Sequence, residues 1–299
     1  DKNGNPVTDD SQKIWGNNAG ETFNSGSSIS PIVEEHMKGE WYMMDAYKGS
    51  GKYYDASGNV LPNGGPKDGM IRTEEDMQWV KDMIAAGYEF WPNKTISKSK
   101  IWYGDVLYAD GNGDGIYGNS FDKRFQGCSS DPKYTFGFQA SAAWKGFDIS
   151  MNWAGAAGRK LYWGATTGYN SSGTRVGVGL PEMIAKDYYF YDPENPNDPR
   201  TNLNGKYSRL TAGESGAQDQ ATSSRFLYSG DYLKLKNITL GYTLPKNLTN
   251  KLYTQSIRVY LSGENLFSID DFPGQDPEIG ATPQYTTVRS FAFGANITF

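Results

Sequence analysis

Residues 290–299, SFAFGANITF, alternate without a break. Phe291, Phe293, Ala295, Ile297 and Phe299 stand against Ser290, Ala292, Gly294, Asn296 and Thr298. A period of two puts alternate side chains on opposite faces, so this segment predicts a strand with one apolar and one polar side. The same period runs through four other segments. In 134–144 the set Tyr134, Phe136, Phe138, Ala140, Ala142 and Trp144 faces Thr135, Gly137, Gln139, Ser141 and Ala143. In 147–153 Phe147, Ile149, Met151 and Trp153 face Asp148, Ser150 and Asn152. Ile238, Leu240, Tyr242 and Leu244 make a third set, and Ile257, Val259 and Leu261 a fourth. Lys145-Gly146 predicts a tight hairpin turn between the first two. Leu233 and Leu235 fall on the opposite parity from Ile238. The strand is therefore expected either to bulge near Asn237 or to leave its apolar zone there.

Between these strands the chain is polar and rich in Gly. Gly is 36 of 299 residues and aromatics are 14%, with a mean hydropathy of −0.65. So many large rings argue against disorder, which needs a chain with little apolar surface to bury. The composition predicts an all-β chain with long loops. Residues 1–30 read as loop, Trp41–Tyr47 as a short strand, and 48–70 as a surface loop with eight Gly and Pro. The clearest helix is expected over 73–86. Thr73 is the N-cap, Glu74, Glu75 and Asp76 fill the first turn, Met77, Val80 and Ile84 share a face, and Gly87 ends it. Residues 154–230 are a long connection, with some strand near Leu161–Trp163 and a Pro-punctuated stretch, DPENPNDPR, at 192–200.

Alternation also suits a soluble β-sandwich. Three features favour a membrane barrel. The polar faces carry Thr, Ser, Gly, Gln and Asn rather than the Lys and Glu of an ordinary wet surface. Connections alternate between short (145–146, 245–256) and long (154–230, 267–287), the pattern of outer-membrane barrels. Aromatics (Tyr134, Trp144, Phe147, Trp153, Tyr242) sit at strand ends, where a girdle would lie. No run of 18 apolar residues exists, which speaks only against a transmembrane helix. The last segment also resembles the carboxy-terminal insertion signal of outer-membrane barrels, carried by Phe291, Phe293, Ala295, Ile297 and Phe299.

Scarce residue types narrow the chemistry. One Cys, Cys128, allows no intrachain disulfide or thiolate zinc cluster, and one His, His36, allows no HExxH helix. The net charge of −5 and pI near 5.1 argue against a nucleic-acid footprint. Asp1 opens a polar stretch, so no signal peptide is expected in this chain, which reads as mature or as a piece of something longer.

Several ordered runs resemble the SusC/RagA-type TonB-dependent transporters. These are GDVLYADGNGDGIYGN (104–119), DPKYTFGFQASAAWKGFDISMNWAGAAGRKL (131–161), DPENPNDPR (192–200), YLKLKNITLGYTLPKNL (232–248), SIRVYLSGENLF (256–267) and PQYTTVRSFAFGANITF (283–299). The resemblance covers residues 100–299 well and 1–99 poorly. It implies a large barrel in the cell outer membrane, inserted by the barrel-assembly machinery and filled by an amino-terminal plug. It also implies energy coupling through TonB, a SusD-like lipoprotein lid, and import of oligosaccharides, or of peptides in some members. Neither enzymatic activity nor a required cofactor is implied. On this reading 131–299 is a set of C-terminal strands of a large antiparallel transmembrane β-barrel with long extracellular loops. Residues 1–130 are a loop-rich region holding the short helix, and the plug is absent from the chain. The rival readings are a secreted, calcium-stabilised glycan-binding β-sandwich and a glycoside hydrolase, for which no particular carboxylate pair stands out.

Three sets of residues are candidate sites. DGNGDG at 110–115 fits the first half of a calcium loop, D-x-[DN]-x-[DN]-G. Asp110, Asn112 and Asp114 would give side-chain oxygens and Ile116 a carbonyl. The closing acid belongs at Phe121, and Asp122 lies one residue later; a metal-free Asp/Gly turn is the alternative. Trp41, Tyr42, Trp91, Trp102, Tyr103, Tyr162 and Trp163 lie in or near loops and are candidate sugar platforms, with loop packing as their other use. Arg175, Asp187, Asp192 and Arg200 lie in the longest polar region and are candidate contacts to substrate or lid.

Overall fold

The computed structural model describes residues 36–163, 182–210, 223–281, 285 and 287–299. The chain divides into two compact units, one of residues 1–128 and 163–227 and one of 129–162 and 228–299. The contacts thus group 163–227 with the first unit, whereas the sequence reading carried the strand region through from 131.

The first unit contains β1 (Glu40–Met44), α1 (Glu74–Ala85), β2 (Glu89–Phe90), β3 (Ile116–Tyr117) and β4 (Lys123–Ser129), and a short helix at Glu182–Asp187. β1 pairs with β4, and β2 runs parallel to β3. The helix starts as its sequence requires. The Thr73 hydroxyl accepts from the Asp76 amide at 3.1 Å and the Asp76 carboxylate accepts from the Thr73 amide at 2.9 Å, a reciprocal cap that satisfies two otherwise orphaned donors. Met77 and Val80 are buried as expected and Ile84 packs at the edge. Trp79 and Met83, both fully buried, complete the face. Around them gather Tyr47, Met70, Phe90, Leu107, Tyr108, Tyr117 and Tyr189.

Residues 48–70 are more than a surface loop. Gly64, Gly65 and Pro66 are buried. The Trp79 indole donates to the Leu61 carbonyl at 2.9 Å, and the Tyr47 hydroxyl to the Gly64 carbonyl at 2.6 Å. Gly and Pro signal a turn, but not that the turn roofs a Trp. Residues 188–209 dock through polar groups. Tyr189 donates to the Arg72 carbonyl at 2.7 Å, and Arg209 makes a two-pronged, buried ion pair with Asp105 at 2.7 and 3.2 Å.

The second unit is one antiparallel sheet. Its strands are β5 (Tyr134–Trp144), β6 (Phe147–Ala157), β9 (Tyr232–Thr243), β10 (Ser256–Asp270) and β11 (Ser290–Thr298), in the order β11-β10-β9-β6-β5. A small pair of β7 (Lys160–Tyr162) and β8 (Leu227–Ser229) stands apart from it. Lys145 and Gly146 both take positive φ (48° and 88°), as a two-residue hairpin matched to strand twist needs. A Cβ on Gly146 would meet the Thr243 carbonyl at 2.8 Å.

The register gathers the apolar sets onto one side. One rung is Ala142, Ile149, Leu240, Leu261 and Phe293; the next is Trp144, Phe147, Tyr242, Val259 and Ala295. In the other direction come Ala140, Met151, Ile238, Gly263 and Phe291, then Phe138, Trp153, Leu235 and Phe267, then Phe136, Gly155, Leu233 and Ile269. The parity break seen in the sequence is resolved by a bulge. Asn237 pairs with Asn152 and Leu235 with Trp153, which leaves Lys236 as the extra residue and returns Leu233 and Leu235 to the apolar side. β10 answers with its own irregularity between Glu264 and Phe267, where Asn265 has φ +50°.

The opposite side is polar on every strand. Ser141, Ser150, Thr239, Ser262 and Ala292 form one rung, and Gln139, Asn152, Asn237, Glu264 and Ser290 another. Arg258 on β10 reaches across β9 to Asp148 on β6 at 2.9 and 2.5 Å. Gly241 lies between them, and a Cβ there would sit 2.4 Å from the guanidinium. The apolar side lies open: Phe136 is 47%, Leu240 49% and Phe293 77% exposed. Among the described residues no helix is long and apolar enough to cross a membrane.

Candidate functional site

The 110–122 loop folds around its own acids. Asp110 accepts from the amides of Gly113, Asp114 and Gly115 at 2.7, 3.2 and 2.9 Å. Asp114 accepts from the Ile116 amide at 2.9 Å and from the Asn112 and Asn119 side chains at 3.1 and 2.9 Å. Oxygens of Asp110, Asp114 and Asp122 lie within 4.8 Å of one another. Asp122 is buried and accepts four backbone amides, from Gly111, Asn112, Gly118 and Asn119 at 2.8, 3.4, 2.8 and 2.9 Å. Burial pushes its carboxyl above the usual range, and these amides oppose the shift without cancelling it. A carboxylate has about four acceptor positions, and the amides fill them. The expected closing ligand therefore serves the backbone. Asp110 and Asp114 are engaged by three donors each, and the Asn112 oxygen accepts from the Asp114 amide at 3.0 Å.

The aromatic candidates differ in burial. Tyr42, Tyr103 and Trp163 are buried, so they do not offer an open ring face as platforms. Tyr42 lies against Phe125, which itself stacks on His36, and Tyr103 meets Tyr191 edge-on. Trp41, Trp102 and Tyr162 are half-buried, and Trp91 is exposed. Periodicity marks which rings share a strand face, but in loops there is no period to tell a packed ring from an open one.

Of the polar candidates, Arg200 and Asp192 use their side chains on local partners. The Asp187 carbonyl accepts from the Tyr207 amide at 3.1 Å, and the Asp192 carboxylate caps a turn through the Glu194 amide at 3.1 Å. Arg200 clasps Asp198 at 2.9 and 2.8 Å and lies over the Phe190 ring. The Arg200 bonds hold the Asp198 carboxyl down at about 2. Arg175 lies outside the described residues. Phe291, Phe293, Ala295 and Ile297 line the apolar side of β11, with the exposed Phe299 just beyond it.

Sequence reasoning missed a buried ionic cluster on the polar side of β9. The Lys234 ammonium meets both Asp276 oxygens at 2.5 and 2.6 Å and Glu278 at 2.9 Å. Lys236, the bulge residue, meets Glu278 at 2.9 and 3.0 Å. Thr287 donates to Asp276 at 2.5 Å, and the Arg159 guanidinium donates to the Pro277 carbonyl. The available signal was two lysines, two residues apart, within an otherwise uncharged strand. The cluster straps the segment that follows β10 onto the sheet.

A sheet with one side apolar and the other polar on all five strands has the patterning of a transmembrane β-barrel wall. The chain is homologous to a portion of the TonB-dependent receptors, SusC among them. It is 30% identical over 213 residues to TonB-dependent receptor P3 of Formosa agariphila, covering 66% of this chain and 19% of that protein. It is 24% identical over 199 residues to TonB-dependent receptor SusC of Bacteroides thetaiotaomicron, covering 64% of this chain and 17% of that one. The chain thus spans a fifth or less of the length of these curated relatives. Among solved structures it is similar to the RagAB peptide transporter, with a TM-score of 0.48 and 23% identity over 66% of this chain and 21% of that chain. No protein-family model matches it.

The ionic strap has a defined pH response. Burial alone would raise Asp276 and Glu278. For Asp276 the bonds from Lys234 and Thr287 outweigh it, and for Glu278 those from Lys236 and Lys234, so both carboxyls lie below their ordinary 3.8 and 4.5. A depressed carboxyl stabilises the fold above its unfolded pKa and ceases to as pH falls through its folded one. Hydrogen exchange, corrected for intrinsic rate, should therefore show the 271–281 amides equally protected from neutrality down to about pH 4.5, with protection falling below that. Protection that stays flat to pH 2 would show that the ion pairs do not hold the segment.

Proposed function

We propose that the five-stranded sheet is part of the wall of a TonB-dependent outer-membrane transporter, and that the protein imports oligosaccharides beneath a SusD-like surface lipoprotein. The observation that carries the first half is the apolar side, continuous over five strands and open to its surroundings. Water would penalise that surface by roughly 25 cal/mol for each Å² exposed, whereas lipid would not. The polar side, of small neutral residues and paired charges, suits an aqueous interior. Short turns join β5 to β6 and β9 to β10, while 158–231 and 271–289 are long. Long extracellular and short periplasmic connections are the barrel pattern.

The oligosaccharide reading draws on the exposed Trp91 and the half-buried Trp41, Trp102 and Tyr162, whose flat faces can stack on sugar C–H groups. Peptide import is the alternative within the same architecture. The full-length protein, co-purified with its lipoprotein and titrated against glycan and peptide panels, should bind a glycan, and Trp91→Ala should weaken that binding by about tenfold, the scale of one lost ring stack. Binding confined to peptides would replace the sugar reading.

In the same reading the 110–122 loop is a structural calcium position, with Asp110, Asn112 and Asp114 giving side-chain oxygens, Ile116 a carbonyl, and Asp122 bracing the backbone. The support is the approach of the Asp110 and Asp114 carboxylates to within 4.8 Å of one another, a repulsion that a divalent cation would relieve. Calorimetric titration of the purified complex should show calcium heats in the wild type that vanish in Asp110→Ala and Asp114→Ala. Identical heats in all three would end the idea.

A further inference from the structure

The short-connection end of the sheet differs in charge from the chain as a whole. The protein is net acidic, at −5. Yet the two connections at this end, 145–146 and 244–255, carry Lys145, Lys246 and Lys251 and no Asp or Glu. All three lysines are exposed. The nearest strand carboxylate, Asp148, is held by both prongs of Arg258 on the polar side, so it does not offset them.

The same end presents apolar groups to its surroundings. Trp144 and Phe147 terminate the apolar side at 69% and 61% exposure. The connection 244–255 holds Leu248, Leu252 and Tyr253 outward, Tyr253 at 94% exposure in a left-handed conformation (φ 56°). Lysine and aromatic are in contact here. The Lys145 ammonium lies 4.7 Å from the centre of the Trp144 ring, so it sits over the last rung of the apolar side rather than over the polar one. Lys246 uses one of its three N–H donors on the Gln255 carbonyl at 2.8 Å, which leaves two for a partner. Rings at the edge of an apolar band, with ammonium groups just past them, are how a protein meets a lipid headgroup layer.

We propose that this rim binds anionic phospholipid headgroups of the periplasmic leaflet, through Lys145, Lys246 and Lys251, with Trp144 and Tyr253 lodged at the headgroup level. The inference rests on the barrel reading, because short connections face the periplasm in such barrels. It adds a chemical preference that the apolar side alone does not supply: a phosphate with net negative charge over a zwitterion.

The test uses the full-length transporter in detergent, first confirmed as a folded barrel by heat-modifiable migration. Native mass spectrometry then compares phosphatidylglycerol with phosphatidylcholine. The wild type should retain phosphatidylglycerol preferentially. A Lys145→Gln, Lys246→Gln, Lys251→Gln variant should lose that preference, on the order of fivefold for each lysine removed. The corresponding triple Lys→Arg variant should keep it. Equal retention of both lipids by the folded wild type, or a preference unchanged in the Gln variant, would overturn the proposal while leaving the transporter reading intact. If the Gln variant does not fold, raising ionic strength on the wild type decides instead: the preference must collapse as the headgroup field is screened. A chain that never gives a heat-modifiable barrel would refute the transporter reading itself.

Discussion

The second unit depends on one constraint: apolar side chains must leave the sheet on the same side in all five strands. Because side chains alternate with a period of two, a single uncompensated residue would turn the rest of a strand over. β9 contains such a residue. Leu233 and Leu235 are out of step with Ile238 and Leu240, and the bulge at Lys236 absorbs the difference. Without it, two leucines would lie among the asparagines and serines of the polar side, and Lys234 would lie among phenylalanines.

That same bulge serves a second purpose. Lys236, released from regular pairing, reaches Glu278, while Lys234, placed on the polar side by the corrected parity, reaches Asp276 and Glu278. The device that keeps one side apolar therefore also aims two cations at the segment after β10. Charge on the polar side is paired wherever it is dense, as with Arg258 and Asp148. Charge at the short-connection rim stands exposed beside aromatic rings. On the proposed reading these two treatments of charge suit two surroundings, an aqueous interior on the polar side and a headgroup layer at the rim.

Much of the sheet was legible in the sequence, since alternation is a direct projection of strand geometry. The five segments, the Lys145-Gly146 turn and the break near Asn237 follow from parity alone, and the cap at Thr73 follows from the spacing of Thr and Asp. The first unit was legible at α1, at the strand around Trp41 and at the 110–115 turn. Its packing depends on contacts with no period, such as Trp79 under Leu61 or Arg209 against Asp105, which lie 104 residues apart. The aromatic candidates failed at Tyr42, Tyr103 and Trp163 for the same reason, because a loop sequence does not say which ring becomes core. The calcium motif was legible as a turn of converging acids. That Asp122 would spend its acceptors on four amides was not, because this depends on how the backbone closes after Gly118.

If the two sides of this sheet meet different solvents, neighbouring positions on β9 should show it most directly. Ile238 is on a middle rung of the apolar side and Thr239 is next to it on the polar side. With the full-length protein folded into lipid vesicles and unfolded by denaturant, Ile238→Lys should cost about 2–4 kcal/mol and Thr239→Lys well under half of that. Similar costs at both positions, or a larger one at Thr239, would contradict the account.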